Sequence, residues 1–220
     1  MARRDTALRY FEEQKDIMDL KVKSGIELNR KGNAHINIKG ENLPENITVE
    51  VEQKNHEFRF GANIFMLDEF ECEEKNKIYR EKFAELFNLA TVPFYWSDLE
   101  PEEGKPRFAK DSPKIYRRPA PDLCVEYCKE KGIEPKCHCL NYDSWLPRWL
   151  YRSTIEEHKS KLEKRFREIA ERYAKDIPSF EVTNETLQNA RSQFFYEDDF
   201  LEWSYRMADR YFPNNRLIIN

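Results

Sequence analysis

Asn184 and Glu185 close the run SFEVTNE, in which polar and apolar residues alternate as they do along a half-buried strand. A carboxylate at the end of such a strand stands where loops gather, and an adjacent amide can donate a hydrogen bond to a sugar hydroxyl. One carboxyl group that protonates a leaving oxygen, working with a second that attacks or activates water, is the machinery of glycoside hydrolysis. The dipeptide alone carries little information, because Asn-Glu is common in surface loops. Its weight comes from position. Trp96 and Glu100 follow another strand-like run, NLATVPFYW, and His138 and Asn141 fall in a third, EPKCHCLNY. The competing reading of His138 is a buried, hydrogen-bonded core histidine. Trp145 and Trp149 fit a core as well as they fit a sugar platform.

The elements that must position these residues alternate from Phe58 onward. FRFGANIF (58–65) reads as a first strand, residues 74–87 as a helix, and 88–96 as a second strand. A long loop follows, then a helix over 120–131 and a third strand over 134–142. Ser153 or Thr154, with Glu156 or Glu157, forms a capping box ahead of a long helix whose stripe is Leu162, Phe166, Ile169 and Tyr173. Residues 179–185 make the fourth strand. A helix over 197–211 turns Phe200, Trp203, Met207 and Tyr211 inward, and RLIIN (216–220) is the fifth strand. Alternating β and α segments argue for a parallel sheet covered by helices. A doubly wound sheet and a (β/α)8 barrel both fit. No G-x-G-x-x-G follows the first strand, which weakens the dinucleotide-binding version of the former. In a barrel, chemistry sits at the C-terminal ends of strands, and that is where the unusual polar residues fall.

Upstream, residues 5–20 read as an amphipathic helix with Leu8, Phe11, Ile17, Met18 and Leu20 as its apolar positions. NAHINIKG and ENITVEVEQ alternate around the turn cluster GENLPEN, which predicts a small antiparallel β-module over residues 24–59. The fold class expected is therefore α/β, the first half of a (β/α)8 TIM barrel over residues 58–220. A helix and β-module over residues 1–57 would precede it, as a structural appendage or a carbohydrate-binding module.

Composition narrows the partners. With 37 basic and 41 acidic residues the net charge is −4, which argues against nucleic acid, since phosphate binding needs a basic surface. No run of about 18 apolar residues is present, so no membrane-spanning helix is expected. The first 20 residues lack an apolar h-region, so no secretory signal is expected there, and secreted and cytoplasmic locations both stay open. Five cysteines without a disulfide-like framework suggest reduced thiols. Cys137 and Cys139 flank His138, but no C-x-x-C pair exists, and buried thiols are favoured over a zinc site.

Three ordered segments carry a family resemblance. FEVTNE resembles the W-D-V-x-N-E signature of glycoside hydrolase family 10, the endo-xylanases. KCHCLNYDSWLPRW resembles that family's G-H-T-L-x-W-H-x-Q-x-P-x-W segment, and YWSDLEPEEGKPRF its K-W-x-x-x-E-P-x-x-G-x-F segment. The resemblance covers about residues 58–220. It implies a retaining hydrolase of β-1,4-xylan or a related plant polysaccharide, with Glu185 as acid/base and no metal or organic cofactor. Asn184 and His138 would bind hydroxyls of the sugar at the cleavage point. Trp96 would pack beneath the site, Trp149 matches the tryptophan that closes the second of these segments, and Tyr142 and Asn141 would line the sugar groove.

Departures from the pattern are equally specific. Thr91, Val92 and Tyr95 stand where the family has Glu, Asn and Lys, groups that grip the sugar one step beyond the cleavage point. Tyr142 replaces a tryptophan and Asp143 a second histidine. The family's nucleophile, a Glu ending the seventh strand, has no counterpart in these five strands. The expectation is that the missing C-terminal half of the barrel completes the enzyme and that the present chain alone is inactive. Two other functions stay open: a retaining glycosidase for another β-glycan or an arabinoside, and a non-catalytic carbohydrate-binding or scaffolding protein that keeps the cleft.

Overall fold

The computed structural model describes residues 3–54, 56–187 and 192–220. They fall into two units, Met1–Asn55 and His56–Asn220. The first unit holds two helices, α1 (Arg3–Glu13) and α2 (Lys15–Asn29). Neither covers a core: Phe11, Ile17, Met18 and Leu20, the expected apolar stripe, are exposed. The β-module expected over residues 24–59 is not found. Residues 24–29 belong to α2, and no strand occurs among the described residues from 30 to 60. Ile36, Ile38, Ile47, Val49 and Val51, which supply the alternation, are all exposed. Two short strands without a third strand or a covering helix are marginal in water, and nothing in this unit covers them.

The second unit turns the alternating pattern into one sheet. Its elements are β1 (Gly61–Asn63), α3 (Glu73–Leu86), β2 (Leu89–Pro93), the short α4 (Trp96–Leu99), α5 (Pro121–Lys131) and β3 (Glu134–Asn141). Then come α6 (Ile155–Tyr173), β4 (Ser179–Thr183), α7 (Phe200–Tyr211) and β5 (Arg216–Ile219). All four strand pairings are parallel, and the order is β1-β2-β3-β4-β5. A doubly wound sheet reverses its strand order at a switch point. This sheet never does, so it is a partial TIM barrel. No helix is long and apolar enough to cross a membrane among the described residues.

The core lies between the sheet and its helices. Leu162, Phe166, Ile169 and Tyr173 of α6 are buried as their spacing requires, and burial of each contributes about 2 kcal/mol. Thr154 closes the capping box: Glu157 N–H donates to Thr154 Oγ1 at 3.2 Å, and Thr154 N–H donates to Glu157 Oε2 at 2.8 Å. Gly132 ends α5 in the left-handed conformation, with φ 66°. Gly61 answers a different need. A Cβ there would lie 2.6 Å from Leu89 Cδ2 and 3.0 Å from the Leu89 carbonyl oxygen, so only glycine lets β1 approach β2 in this register.

One polar residue interrupts the apolar stripe of α6. Arg165 is 3% exposed, and its guanidinium donates to the carbonyl oxygens of Leu140 at 2.9 Å, Cys139 at 3.2 Å and Phe94. Burial pulls its pKa down to about 10, so it stays charged at neutral pH. His158, one turn above Thr154, is also buried, and burial holds its pKa at about 4 despite the Asp143 charge.

Arg165→Met should destabilise the chain by about 3 kcal/mol, because it strands buried carbonyl groups. Thr154→Ala should cost about 1 kcal/mol. Urea unfolding of both variants checks the ranking. His158 titrates lower in the folded chain than in the unfolded chain, so its stabilisation is complete above pH 6.5. As pH falls from 6.5 to about 4 it should disappear, a loss on the order of 3 kcal/mol. Unfolding midpoints of the wild type and His158→Gln at pH 7 and pH 5 should show a steeper fall for the wild type.

Candidate active site

The C-terminal ends of the five strands form a rim, and each delivers side chains to it. Phe65 follows β1, Tyr95 follows β2, His138 lies in β3 with Tyr142 and Trp145 beyond it, Asn184 and Glu185 follow β4, and Asn220 follows β5. A cavity of about 370 Å3 opens inside the sheet, lined by Asn63, Thr91, Tyr95, Lys136, His138 and Glu181 among others.

Strand periodicity explains the inner face. Side chains two apart in a strand share a face, so Lys136 and His138 on β3 meet Glu181 on β4, with His138 and Glu181 in register. Glu181 is 0% exposed. It accepts a hydrogen bond from His138 Nδ1 at 2.9 Å and pairs with Lys136 Nζ at 2.5 Å. Burial alone would push its carboxyl up. The hydrogen bonds and charges of His138 and Lys136 outweigh that and hold it below the usual carboxylate value. A carboxylate only accepts, so His138 carries a proton on Nδ1. In the neutral ring Nε2 is then the acceptor for the Tyr95 hydroxyl, 3.0 Å away.

Glu185 sits at the top of β4 with φ 50°, in the left-handed region that non-glycine residues rarely occupy. The turn brings Thr186 back onto Asn220, whose carbonyl oxygen accepts from Thr186 N at 3.2 Å and Oγ1 at 3.0 Å. Tyr142 donates its hydroxyl to Glu185 Oε2. Burial first, and the Glu185 carboxylate second, push the Tyr142 hydroxyl up to about 12. Asn184 lies beside this pair, and its Oδ1 accepts from Asn220 Nδ2 at 2.7 Å. Contacts therefore run unbroken along the rim: Tyr95 meets His138 edge-on at 5.1 Å and Tyr142 at 6.2 Å, and Tyr142 reaches Glu185.

This geometry decides which of the expected site residues share the cleft. His138 lines the cavity, Tyr142 and Glu185 are bonded to each other, and Asn184 is bonded to Asn220, which also lines it. Asn141 lies elsewhere: it is 2% exposed, and its amide faces Ser204 of α7 at 3.4 Å, on the helix side of the sheet. Trp96 and Trp149 also lie away from the cavity. Trp96 is 3% exposed and donates to Glu100 Oε2 at 2.8 Å. Trp149 donates to the Glu100 carbonyl at 2.9 Å and packs edge-on against Trp96. Both indoles clamp the loop after β2, Trp96 buried and Trp149 partly so. Glu181, Lys136 and Arg118 are the cleft residues missed by sequence reasoning, and period-2 placement of charge within buried strands was the signal available for the first two.

A model of the glycosyl hydrolase family 10 sequence matches residues 53–220. This chain belongs to glycosyl hydrolase family 10. Among solved structures it resembles native xylanase 10B of Thermotoga maritima, at 22% identity and TM-score 0.59, covering 74% of this chain and 49% of that one. The xylanase 10B of Thermotoga petrophila in complex with xylobiose matches at 22% identity and TM-score 0.58, over 74% and 48%. An endo-1,4-beta-xylanase of Caldicellulosiruptor owensensis matches at 16% identity and TM-score 0.59, over 73% and 49%. The chain thus spans about half the length of these family members. No curated protein sequence matches it.

In this family 10 chain the cysteines are thiols: Cys124, Cys128, Cys137 and Cys139 are buried and Cys72 is exposed. His138, Cys139 and Glu181 bring potential metal-binding atoms within 4.8 Å of one another. The donor set fits a metal poorly. Burial pushes the Cys139 thiol far up, and Glu181 is already neutralised by Lys136.

Lys136→Met should lower stability at pH 7 by about 3 kcal/mol, since it leaves the buried Glu181 charge half-compensated. The depressed Glu181 carboxyl contributes stability that is present at neutral pH and lost as pH falls through its folded value. The gap between variant and wild type should therefore narrow toward acid pH, which urea titrations at pH 7 and pH 3.5 would measure.

Proposed function

We propose that this chain forms the acid/base half of a retaining glycoside hydrolase acting on β-1,4-xylan or a closely related plant polysaccharide. The observation that carries the reading is Glu185, held at the end of β4 by a left-handed turn, hydrogen-bonded by Tyr142 and on one rim with His138. Membership of glycosyl hydrolase family 10 supports the reaction class. The xylanase names of the similar structures, one of them bound to xylobiose, support the substrate class.

The reaction divides between two carboxyl groups about 5 Å apart. Glu185 gives its proton to the leaving glycosidic oxygen. A second carboxylate attacks the anomeric carbon and forms a glycosyl-enzyme. Glu185 then takes a proton from the incoming water, which releases the sugar with its configuration retained. Asn184 binds a hydroxyl of the reacting sugar, and His138, its Nδ1 proton fixed by Glu181, binds another in place of the Tyr95 hydroxyl at Nε2.

The second carboxylate would come from further strands that complete the barrel. Glu181 is unsuited to attack, because Lys136 and His138 already hold it. Two observations support this: among the described residues β1 and β5 each have one sheet neighbour, and Leu217 and Ile218 of β5 stay half-buried while β2–β4 are largely buried.

Two measurements test this reading. Glu185→Ala, in a protein with the barrel completed, should slow xylooligosaccharide hydrolysis by about 10²–10⁴-fold. Formation of the glycosyl-enzyme from aryl xylosides with good leaving groups should fall far less. Equal losses on both substrate types would remove Glu185 from the acid/base role. The 220-residue chain should turn over neither substrate, and turnover equal to the complete protein would place the nucleophile within these five strands.

A further inference from the structure

Tyr95 is the centre of a wall along the rim from β1 to β3. Its ring lies 4.8 Å from Trp145 and 5.9 Å from Phe65, centroid to centroid. The Arg118 guanidinium carbon stands 4.2 Å from the Tyr95 ring centre, 4.8 Å from Trp145 and 5.5 Å from Phe65. Arg118 is itself fixed, donating from Nε to Asp98 Oδ2 at 2.7 Å.

The loop that carries Arg118 is pinned from below. Buried Arg107 donates to the carbonyl oxygens of Pro113 at 2.7 Å, Asp98 at 2.9 Å and Arg118 at 3.3 Å. At its polar end Tyr95 is bonded to His138 Nε2. Each part of the ring is thus engaged, and a long flexible side chain that could fold away is absent from this position. Tyr142, which touches the acid, is 6.2 Å from Tyr95. The wall stands one aromatic ring away from the reacting end of the cleft.

We propose that Tyr95, with Trp145 and Arg118, ends the sugar groove on the β1–β2 side within one residue of the bond that is cut. The complete enzyme then removes single sugars from chain ends instead of cutting inside the chain. The inference rests on Glu185 as the acid/base, but it concerns only how many sugars fit beside it.

The test uses the full-length protein, its Tyr95→Ala and Trp145→Ala variants, and xylohexaose, with products separated at early times. The wild type should release xylose and xylopentaose first. Either alanine variant should raise the ratio of internal to terminal cuts by about tenfold or more. Tyr95→Phe keeps the ring and should keep terminal cleavage, which separates the wall from the hydrogen bond to His138. Internal fragments from the wild type at the outset would overturn the proposal, as would a folded Tyr95→Ala and a folded Trp145→Ala that both keep the wild-type pattern.

If no xylooligosaccharide is cleaved, the proposed activity fails, and binding then judges the wall separately. Titration with xylose and xylobiose, followed by tryptophan fluorescence, should give the wild type no preference for the disaccharide and Tyr95→Ala a clear one. A wild type that favours xylobiose by about tenfold, or that binds neither sugar, overturns the inference.

Discussion

Arg165 ties α6 to the ends of two neighbouring strands of the second unit. Its guanidinium rises from α6 and takes the carbonyl oxygens that β2 and β3 expose as they leave the sheet, those of Phe94, Cys139 and Leu140. Carbonyl groups at the ends of parallel strands lose their ladder partners, and in a buried place they must be satisfied. Here one five-donor side chain does so for two strands, while its flat face lies 5.3 Å from the centre of the Trp96 ring. Tyr95 and His138 stand immediately beside these carbonyls in sequence. Their placement at the rim is therefore a consequence of how the strand ends are tied to the helix.

From that anchor the cleft follows in two layers. The lower layer is charged: Lys136, Glu181 and His138 lock one another across β3 and β4. The upper layer is aromatic, with Tyr142 and Trp145 each beside Tyr95 and Arg118 against Tyr95 and Trp145. The lower layer fixes the histidine tautomer, and the tautomer makes Nε2 the acceptor for Tyr95. The aromatic layer at Tyr95 is thus tied to the buried charge pair through a single imidazole.

Much of this was legible in the sequence. The strand and helix pattern after Phe58 emerged within a few residues of its expected bounds, because period-2 and period-3.6 spacing is strong in that region, and the Thr154 capping box was written in four residues. Periodicity says nothing about strand neighbours; the family resemblance implied the consecutive order of a barrel, and the register of β1 to β5 has it. The helix expected over residues 5–20 lies within the pair α1 and α2, whereas the strands expected after it are not found, because alternation in Ile36, Ile38, Ile47 and Val49 measures what could be buried, not whether anything lies over it. Asn141 is misplaced when a polar residue at a strand end is read as facing the cleft, whereas alternation from Lys136 and His138 turns residue 141 toward α7. Trp149 fitted a core as well as a sugar platform by residue type; its indole N–H donates to the Glu100 carbonyl, beside the buried Trp96, whose own N–H donates to the Glu100 carboxylate.

Gly61 shows how far the reach of one missing methyl extends. Because nothing projects from its Cα, β1 lies against Leu89 closely enough for Ile64 N–H to bond the Thr91 carbonyl at 3.1 Å. That bond sets the height at which Phe65 leaves the strand, parallel to the His138 ring with centroids 6.4 Å apart. A side chain at residue 61 would lever the outermost strand away and tilt Phe65 off the imidazole, loosening the mouth from its far edge. The smallest residue in the sheet thereby governs the alignment of some of its largest.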